Sequence, residues 1–246
     1  MIFKDVNCGY RSYCPDGMMA ATIEQIDGVC WENGIVSRAL YCVDRNGKTV
    51  GQMNAQTIAL CRQSQDVPVL RLLPSAFSDE CYSVEEIEQL AWEEMAAFRI
   101  HPKLDASPVK EWMFPGVFSV LEKTGAPLLI ALEEADMEDL ARLKTAYPGL
   151  ALVLTNTTQW MNRQYVQFTK TFPNVYLDTS NVIEYYGLES LVKTVGADKL
   201  LFGTGMPVKE PYDKIYQILY SDLSEEEREL IAFRNFERIM ERGGAK

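Results

Sequence analysis

The chain has 246 residues, 47% of them hydrophobic and 24% charged, with 24 Lys+Arg against 35 Asp+Glu. A net charge of −11 excludes the basic stripe that a nucleic-acid or anionic-membrane surface needs, and a mean hydropathy of −0.13 without a long apolar run excludes a membrane-spanning helix. All six cysteines fall in the first third without a Cys-x-x-Cys pair, and the first six residues carry no apolar leader, so the reading is a cytoplasmic protein with reduced thiols.

Short apolar runs rich in β-branched and aromatic residues occur at 2–6, 35–43, 69–73, 97–101, 127–132, 150–155, 175–178 and 200–203. Near-continuous runs of this length suit parallel strands buried on both faces. Amphipathic segments separate them. Residues 49–65 carry apolar positions at helical spacing. Ser83 and Glu86 make a capping box, in which the hydroxyl and the carboxylate each satisfy an orphan amide at a helix start. Residues 136–146 place acids before bases, as the helix dipole prefers. Helices are predicted over 181–195 and 211–220. Ser224 and Glu227 open a last one, running to about Met240.

Eight strands alternating with helices predict a single (β/α)₈ TIM barrel spanning residues 1–246. A doubly wound open sheet would want a glycine-rich phosphate loop after the first strand. Asn7-Cys8-Gly9-Tyr10-Arg11 is not that loop.

Several segments together resemble the amidohydrolase-related, metal-dependent hydrolase barrels. Phe98-Arg99-Ile100-His101-Pro102 is similar to the family's G-h-K-h-H-P segment (h, hydrophobic), and Gly125-Ala126-Pro127 leading to Ala131 resembles its G-x-P-h-h-h-H strand. Tyr147-Pro148 through Asn156 looks like h-P-x-h-x-h-h-h-x-H. Phe172-Pro173-Asn174-Val175-Tyr176-Leu177-Asp178-Thr179-Ser180 and Gly196 through Pro207 match two further family strands, and Arg234-Asn235 through Met240 resembles its terminal helix. The resemblance is strongest from residue 97 onward.

It implies a divalent metal held by a His-x-His on strand one, a His on strands five and six and an Asp on strand eight, making a bound water nucleophilic. Those positions fall here on Asn7, Gly9, Ala131, Asn156 and Gly205. Ala and Gly offer no lone pair and Asn only a neutral amide oxygen. The chain has one histidine in all, so no shift of register restores the set. No metal and no cofactor is expected.

The remaining polar residues at strand ends are the candidates. His101, Asp178 and Glu133 are candidate acid–base groups, with Glu134 beside them. Asn7, Arg99, His101, Asn156, Asp178 and Thr204 are candidate ligand contacts, and the amides of Gly203-Thr204-Gly205 could face an anion. Plainer roles compete: an ion pair of Arg99 with Asp178 or Glu133, an inter-strand hydrogen-bonding role for Asp178, a helix-start role for Glu133, and hydrogen-bonded amides of Asn7 and Asn156 in the former metal position. Cys8 and Cys14 read as core. Tyr10, Tyr13, Trp160, Tyr185 and Tyr186 either line an aromatic pocket or pack.

The expected function is that of a hydrolase-like barrel that has lost metal-dependent hydrolysis and binds a small, anionic molecule or plays a regulatory role. An active metal-independent hydrolase or lyase for a carboxylate-bearing substrate is the alternative. A structural subunit pairing with an active paralogue is a third reading, and a homo-oligomer is compatible with each. No nucleic acid or membrane is expected as a partner.

Overall fold

Eight strands form at the eight predicted runs: β1 (Phe3–Tyr10), β2 (Ile35–Cys42), β3 (Val67–Arg71), β4 (Ala97–Arg99), β5 (Leu128–Ala131), β6 (Leu152–Thr155), β7 (Val175–Asp178) and β8 (Leu200–Leu201). They pair in parallel and in chain order. The last strand is brought against the first by Val6 N donating to Phe202 O (2.9 Å), Gly205 N to Asn7 O (3.0 Å) and Gly9 N to Met206 O (2.7 Å). This is the predicted (β/α)₈ barrel. The computed structural model describes residues 1–11, 22–43, 47–74, 81–158 and 162–240.

The helices are α1 (Ile23–Glu32), α2 (Val50–Cys61), α3 (Val84–Glu93), α4 (Val117–Thr124), α5 (Met137–Ala146), α6 (Asn162–Thr171), α7 (Gly187–Val195), α8 (Tyr212–Leu219), α9 (Glu225–Glu229) and α10 (Asn235–Met240), with a π turn at Leu230–Arg234 joining the last two. Both predicted capping boxes form, and Thr22 with Gln25 and Thr49 with Gln52 make two more. Each such cap contributes about 1 kcal/mol. The helix predicted from residue 181 starts only at Gly187, because Tyr186 sits in the left-handed region at φ 52° and interrupts the helical path. Sequence periodicity did not single out α1, α4 or α6; the Thr22–Gln25 box was the available signal for α1.

Alternation along the strands sorts the core. Val6, Ala39, Val69, Ala97, Leu129, Val153, Tyr176 and Leu201 fill the barrel interior, over a floor made by Phe236, Ile239 and Met240 of α10. Phe3, Leu40, Leu70, Phe98, Ile130, Leu154, Leu177 and Phe202 lie in the core cluster that includes the surrounding helices. One inward step further along the strands, toward their C-terminal ends, stand Tyr41, Arg71, Arg99, Ala131, Thr155, Asp178 and Gly203. The polar layer starts there. Among the described residues no helix is long and apolar enough to cross a membrane.

Candidate functional site

The polar layer has two unlike sides. Along the β7–β8–β1 seam every group is partnered. Asp178, fully buried, accepts from Asn7 Nδ2 (2.8 Å), Asn156 N (3.1 Å), Ser180 Oγ (2.7 Å) and Ser180 N. Asn7 Nδ2 also reaches Asn156 Oδ1 (3.1 Å), and Asn7 Oδ1 accepts from the Tyr41 hydroxyl (2.9 Å). Burial pushes the Tyr41 phenol up, which keeps it a donor. Beneath, Asp5 accepts from Asn7 N (2.8 Å), Thr204 N (3.0 Å) and Thr204 Oγ1. Burial outweighs these donors and raises its carboxyl to about 6. Gly203 is required here by close approach: a Cβ would stand 2.2 Å from Asp178 Oδ1.

The arc from β3 to β6 is different. Arg71 and Arg99 are register partners on neighbouring strands, so two guanidinium groups enter the same layer. Arg71 pairs with Asp105, leaving its Nε without a partner. Arg99 is 5% exposed; its Nε and Nη1 are buried and make no hydrogen bond, and its guanidinium carbon lies 4.4 Å from the Tyr41 ring centroid. Thr155 Oγ1, two strands away, is also buried and unpartnered, with the small Ala131 as its register partner on β5. Just above, His101 Nδ1 lies 2.8 Å from Glu134 Oε1. Burial and then Arg99 lower the His101 pKa, against the opposing pull of Glu134, so the imidazole is neutral near pH 7.

Several predicted roles change against this geometry. Arg99 makes no ion pair with Asp178 or Glu133; Asp178 Oδ2 is engaged by three donors on the seam, and Glu133 is exposed in the middle of the 3₁₀ turn Leu132–Glu134. Among the described residues Glu133 hydrogen-bonds Asn156 Nδ2 (3.3 Å) and, through its carbonyl, Lys103. Its neighbour Glu134 takes His101 instead. Gly203-Thr204-Gly205 presents no free amide: the three N–H groups go to Thr179 Oγ1, Asp5 and Asn7 O, and the Thr204 hydroxyl faces Asp5. Tyr10 points outward to Thr57 Oγ1, and Tyr185 and Tyr186 are exposed on the outer surface, away from the barrel mouth. Cys8 is core, its thiol raised well above the usual range by a hydrogen bond with Cys30 and by burial. Cys14, Tyr13 and Trp160 lie outside the described residues. Tyr41, Arg71 and Thr155 were missed, although each stands two residues beyond an interior apolar residue of its strand.

The groups at the positions where the resemblance places metal ligands do not fit a catalytic divalent metal. Asn7 turns its amide nitrogen toward Asp178 and has its oxygen taken by Tyr41. Asn156 Oδ1 is taken by Asn7. At Gly9 a Cβ would come within 2.3 Å of Val43 Cγ2 and 3.1 Å of the Tyr41 ring, so the space of a side chain is filled. Gly205 has φ 74°, where a side chain is strained. Among the described residues no group of three or more His, Cys, Asp or Glu is placed to hold a metal ion.

Comparison with known proteins bears on the whole barrel. Over 98–99% of this chain it superposes on 2,6-dihydroxybenzoate decarboxylase from Rhizobium (TM-score 0.74, 13% identity, 100% of that chain) and on 5-carboxyvanillate decarboxylase from Novosphingobium aromaticivorans complexed with manganese and 4-hydroxy-3-methoxy-5-nitrobenzoic acid (0.74, 12%, 96%). An uncharacterized TIM-barrel protein from Bordetella bronchiseptica is similar too (0.73, 16%, 98% of this chain and 99% of that one). At these identities the likeness is one of fold. No curated protein matches the sequence. The family model described as Amidohydrolase matches residues 49–239, most of the chain, and the protein therefore belongs to the amidohydrolase family.

Proposed function

We propose that this barrel has exchanged metal-dependent hydrolysis for the binding of a small carboxylate-bearing molecule at the C-terminal mouth. The observation that carries the reading is Arg99. A buried guanidinium with two unpartnered N–H groups is costly, because it has lost water without gaining an acceptor. A carboxylate is the acceptor whose geometry matches that fork. Arg71 on the next strand adds to the positive field, and the unpartnered Thr155 hydroxyl offers a further donor in the same layer. The similar decarboxylases are named for, or complexed with, benzoates, which are ligands of this chemical class. The donor set at Asn7, Gly9, Ala131, Asn156 and Gly205 supports the loss of the metal chemistry.

Benzoate and succinate serve as probes. Saturating carboxylate is expected to raise the unfolding midpoint of the wild type, by about 2.7 kcal/mol of stabilisation at a hundredfold excess over Kd. Arg99→Met is expected to abolish that shift, and a chelator to leave it unchanged. A shift that survives in Arg99→Met, or hydrolysis that appears on adding manganese or zinc, would overturn the reading.

A second reading, a metal-independent hydrolase or lyase acting on such a molecule, is favoured by the His101–Glu134 pair. With Nδ1–H donated to Glu134, the lone pair sits on Nε2, which has no hydrogen bond among the described residues. That is the arrangement of a general base. Turnover of a panel of carboxylate-bearing esters and phenolic acids would show an acid limb below the ordinary imidazole value of 6.5. His101→Gln would remove it while leaving carboxylate binding intact. No turnover across the panel sinks this reading and leaves the binding role standing.

A further inference from the structure

A patch remote from the mouth is chemically unlike the rest of the surface. Five tyrosines stand in water around α7 and α8: Tyr185 (92% exposed), Tyr220 (81%), Tyr216 (55%), Tyr186 (54%) and Tyr212 (41%). Tyr212, Tyr216 and Tyr220 recur every fourth residue, so they form one stripe along α8 and its C-terminal end. The rings of Tyr216 and Tyr220 are 5.9 Å apart. Tyr185 and Tyr186 meet edge to face at 4.6 Å just before α7, on the residue pair that the left-handed Tyr186 turns out of the helix. Tyr185, Tyr186, Tyr216 and Tyr220 line one hollow of about 270 Å³, together with Glu189, Gln217 and Asp222. A second hollow of about 200 Å³ opens on the other side of Tyr185, toward Tyr165 and Val166 of α6. Lys209 and Lys214 bond to Ser180 O and Val182 O, which brings exposed Val208 and Ile183 to the same region.

Scattered exposed apolar residues are ordinary; a contiguous aromatic patch marks a contact surface. Its area suits a protein partner. The exposed fractions amount to just over three whole tyrosines, about 650 Å² at roughly 200 Å² each. Ile183 and Val208 bring the patch toward the roughly 800 Å² per partner that a stable interface covers. Tyrosine is also a residue type that dominates interface energetics.

The patch carries both rings that project and hollows beside them, the two features that a two-fold axis sets opposite each other in an isologous contact. Its tyrosine hydroxyls have no hydrogen-bond partner among the described residues, while Glu189 and Asp222 in the hollow are acceptors. Donors of one copy thereby face acceptors of the other. We propose that this face is the two-fold interface of a homodimer, with Tyr185 and Tyr220 as its anchors. The proposal is independent of what the barrel mouth binds.

Sedimentation equilibrium of the full chain at micromolar concentration tests it. The wild type is expected at twice the 27.9 kDa chain mass. Tyr185→Ser and Tyr220→Ser are each expected to weaken the dimer about 30-fold or more, and the double variant to be monomeric. Both positions are exposed, so circular dichroism melts should be unchanged. A wild type that is monomeric, with or without a different protein co-purifying on this face, overturns the proposal. So does a double variant that folds and remains dimeric, because the contact then lies elsewhere.

Discussion

The two sides of the barrel mouth are built from the same kinds of residue and treat them in opposite ways. On the β7–β8–β1 seam, the side chains of Asp5, Asn7, Asp178, Ser180 and Thr204 are held by hydrogen bonds from neutral donors. On the β3–β4 side, Arg71 and Arg99 share a layer, and Nε and Nη1 of the second guanidinium are left without an acceptor. The seam includes Asn7 and Gly205, where the resemblance places the family's first and last metal ligands. Its hydrogen bonds tie strands β1, β7 and β8 together. The arc is the converse: Nε and Nη1 of Arg99 and the Thr155 hydroxyl are buried without an acceptor from the chain, which is where an outside acceptor gains most. Stability should therefore live on the seam and ligand affinity on the arc.

Breaking the seam at its centre gives the largest effect. Asp178→Ala removes the common acceptor of Asn7 Nδ2, the Asn156 amide and the Ser180 amide and hydroxyl. Each orphaned buried donor costs about 1–3 kcal/mol, so a loss of roughly 3–5 kcal/mol is expected after partial rescue by water. Urea melts measure it directly. A loss under about 1 kcal/mol would mean that the seam is ornamental to stability.

Much of this was legible in the sequence, and the illegible part has a physical cause. The strands announced themselves because their apolar runs are buried on both faces. Asn7, Asn156 and Asp178 were named because they sit at motif positions. What no local pattern gives is who meets whom. The Asn7–Asp178 contact spans 171 residues, and only the closed barrel brings the two together. The ion pair expected for Arg99 failed for that reason: Asp178 was already committed to donors from β1, from the end of β6 and from its own turn. Of Glu133 and Glu134, which the sequence leaves side by side, the second meets His101, and the two lie in a 3₁₀ turn that follows β5. Tyr41, Arg71 and Thr155 needed only the period-two rule, counted on from Ala39, Val69 and Val153.

The seam also has a pH signature. Asp5 is raised from 3.8 to about 6 by burial, with Asp178 contributing in the same direction. The folded state thus holds this proton more tightly than the unfolded chain does. The stabilisation from Asp5 is fully present below pH 3.8 and is lost as pH rises through about 6. That rise corresponds to about 3 kcal/mol. Asp5→Asn lacks the titration, so the difference in unfolding free energy between it and the wild type should change by about that amount across the window. Two parallel stability–pH curves would show that the seam does not strain this carboxylate.

The smallest effect on stability is expected at the residue most exposed to a functional test. Had Arg99 been paired with Asp178, removing it would have left a bare buried carboxylate, at a cost of about 3–5 kcal/mol. No such carboxylate exists: the acceptors of the seam keep all their donors when Arg99 is gone. Arg99→Met keeps much of the side-chain volume against the Tyr41 ring and removes a buried charge that forms no ion pair among the described residues, and hydrophobic replacement of buried charge is neutral to stabilising. The unfolding midpoint in the absence of ligand should therefore stay level or rise, within about 1 kcal/mol. His101, which burial and Arg99 together hold below its ordinary pKa, should at the same time move upward, since the second of those causes has been removed. NMR titration of the single imidazole reads that shift without interference from any other histidine. An unchanged imidazole together with a destabilised fold would place Arg99 among the structural groups of the seam and erase the contrast between the two sides.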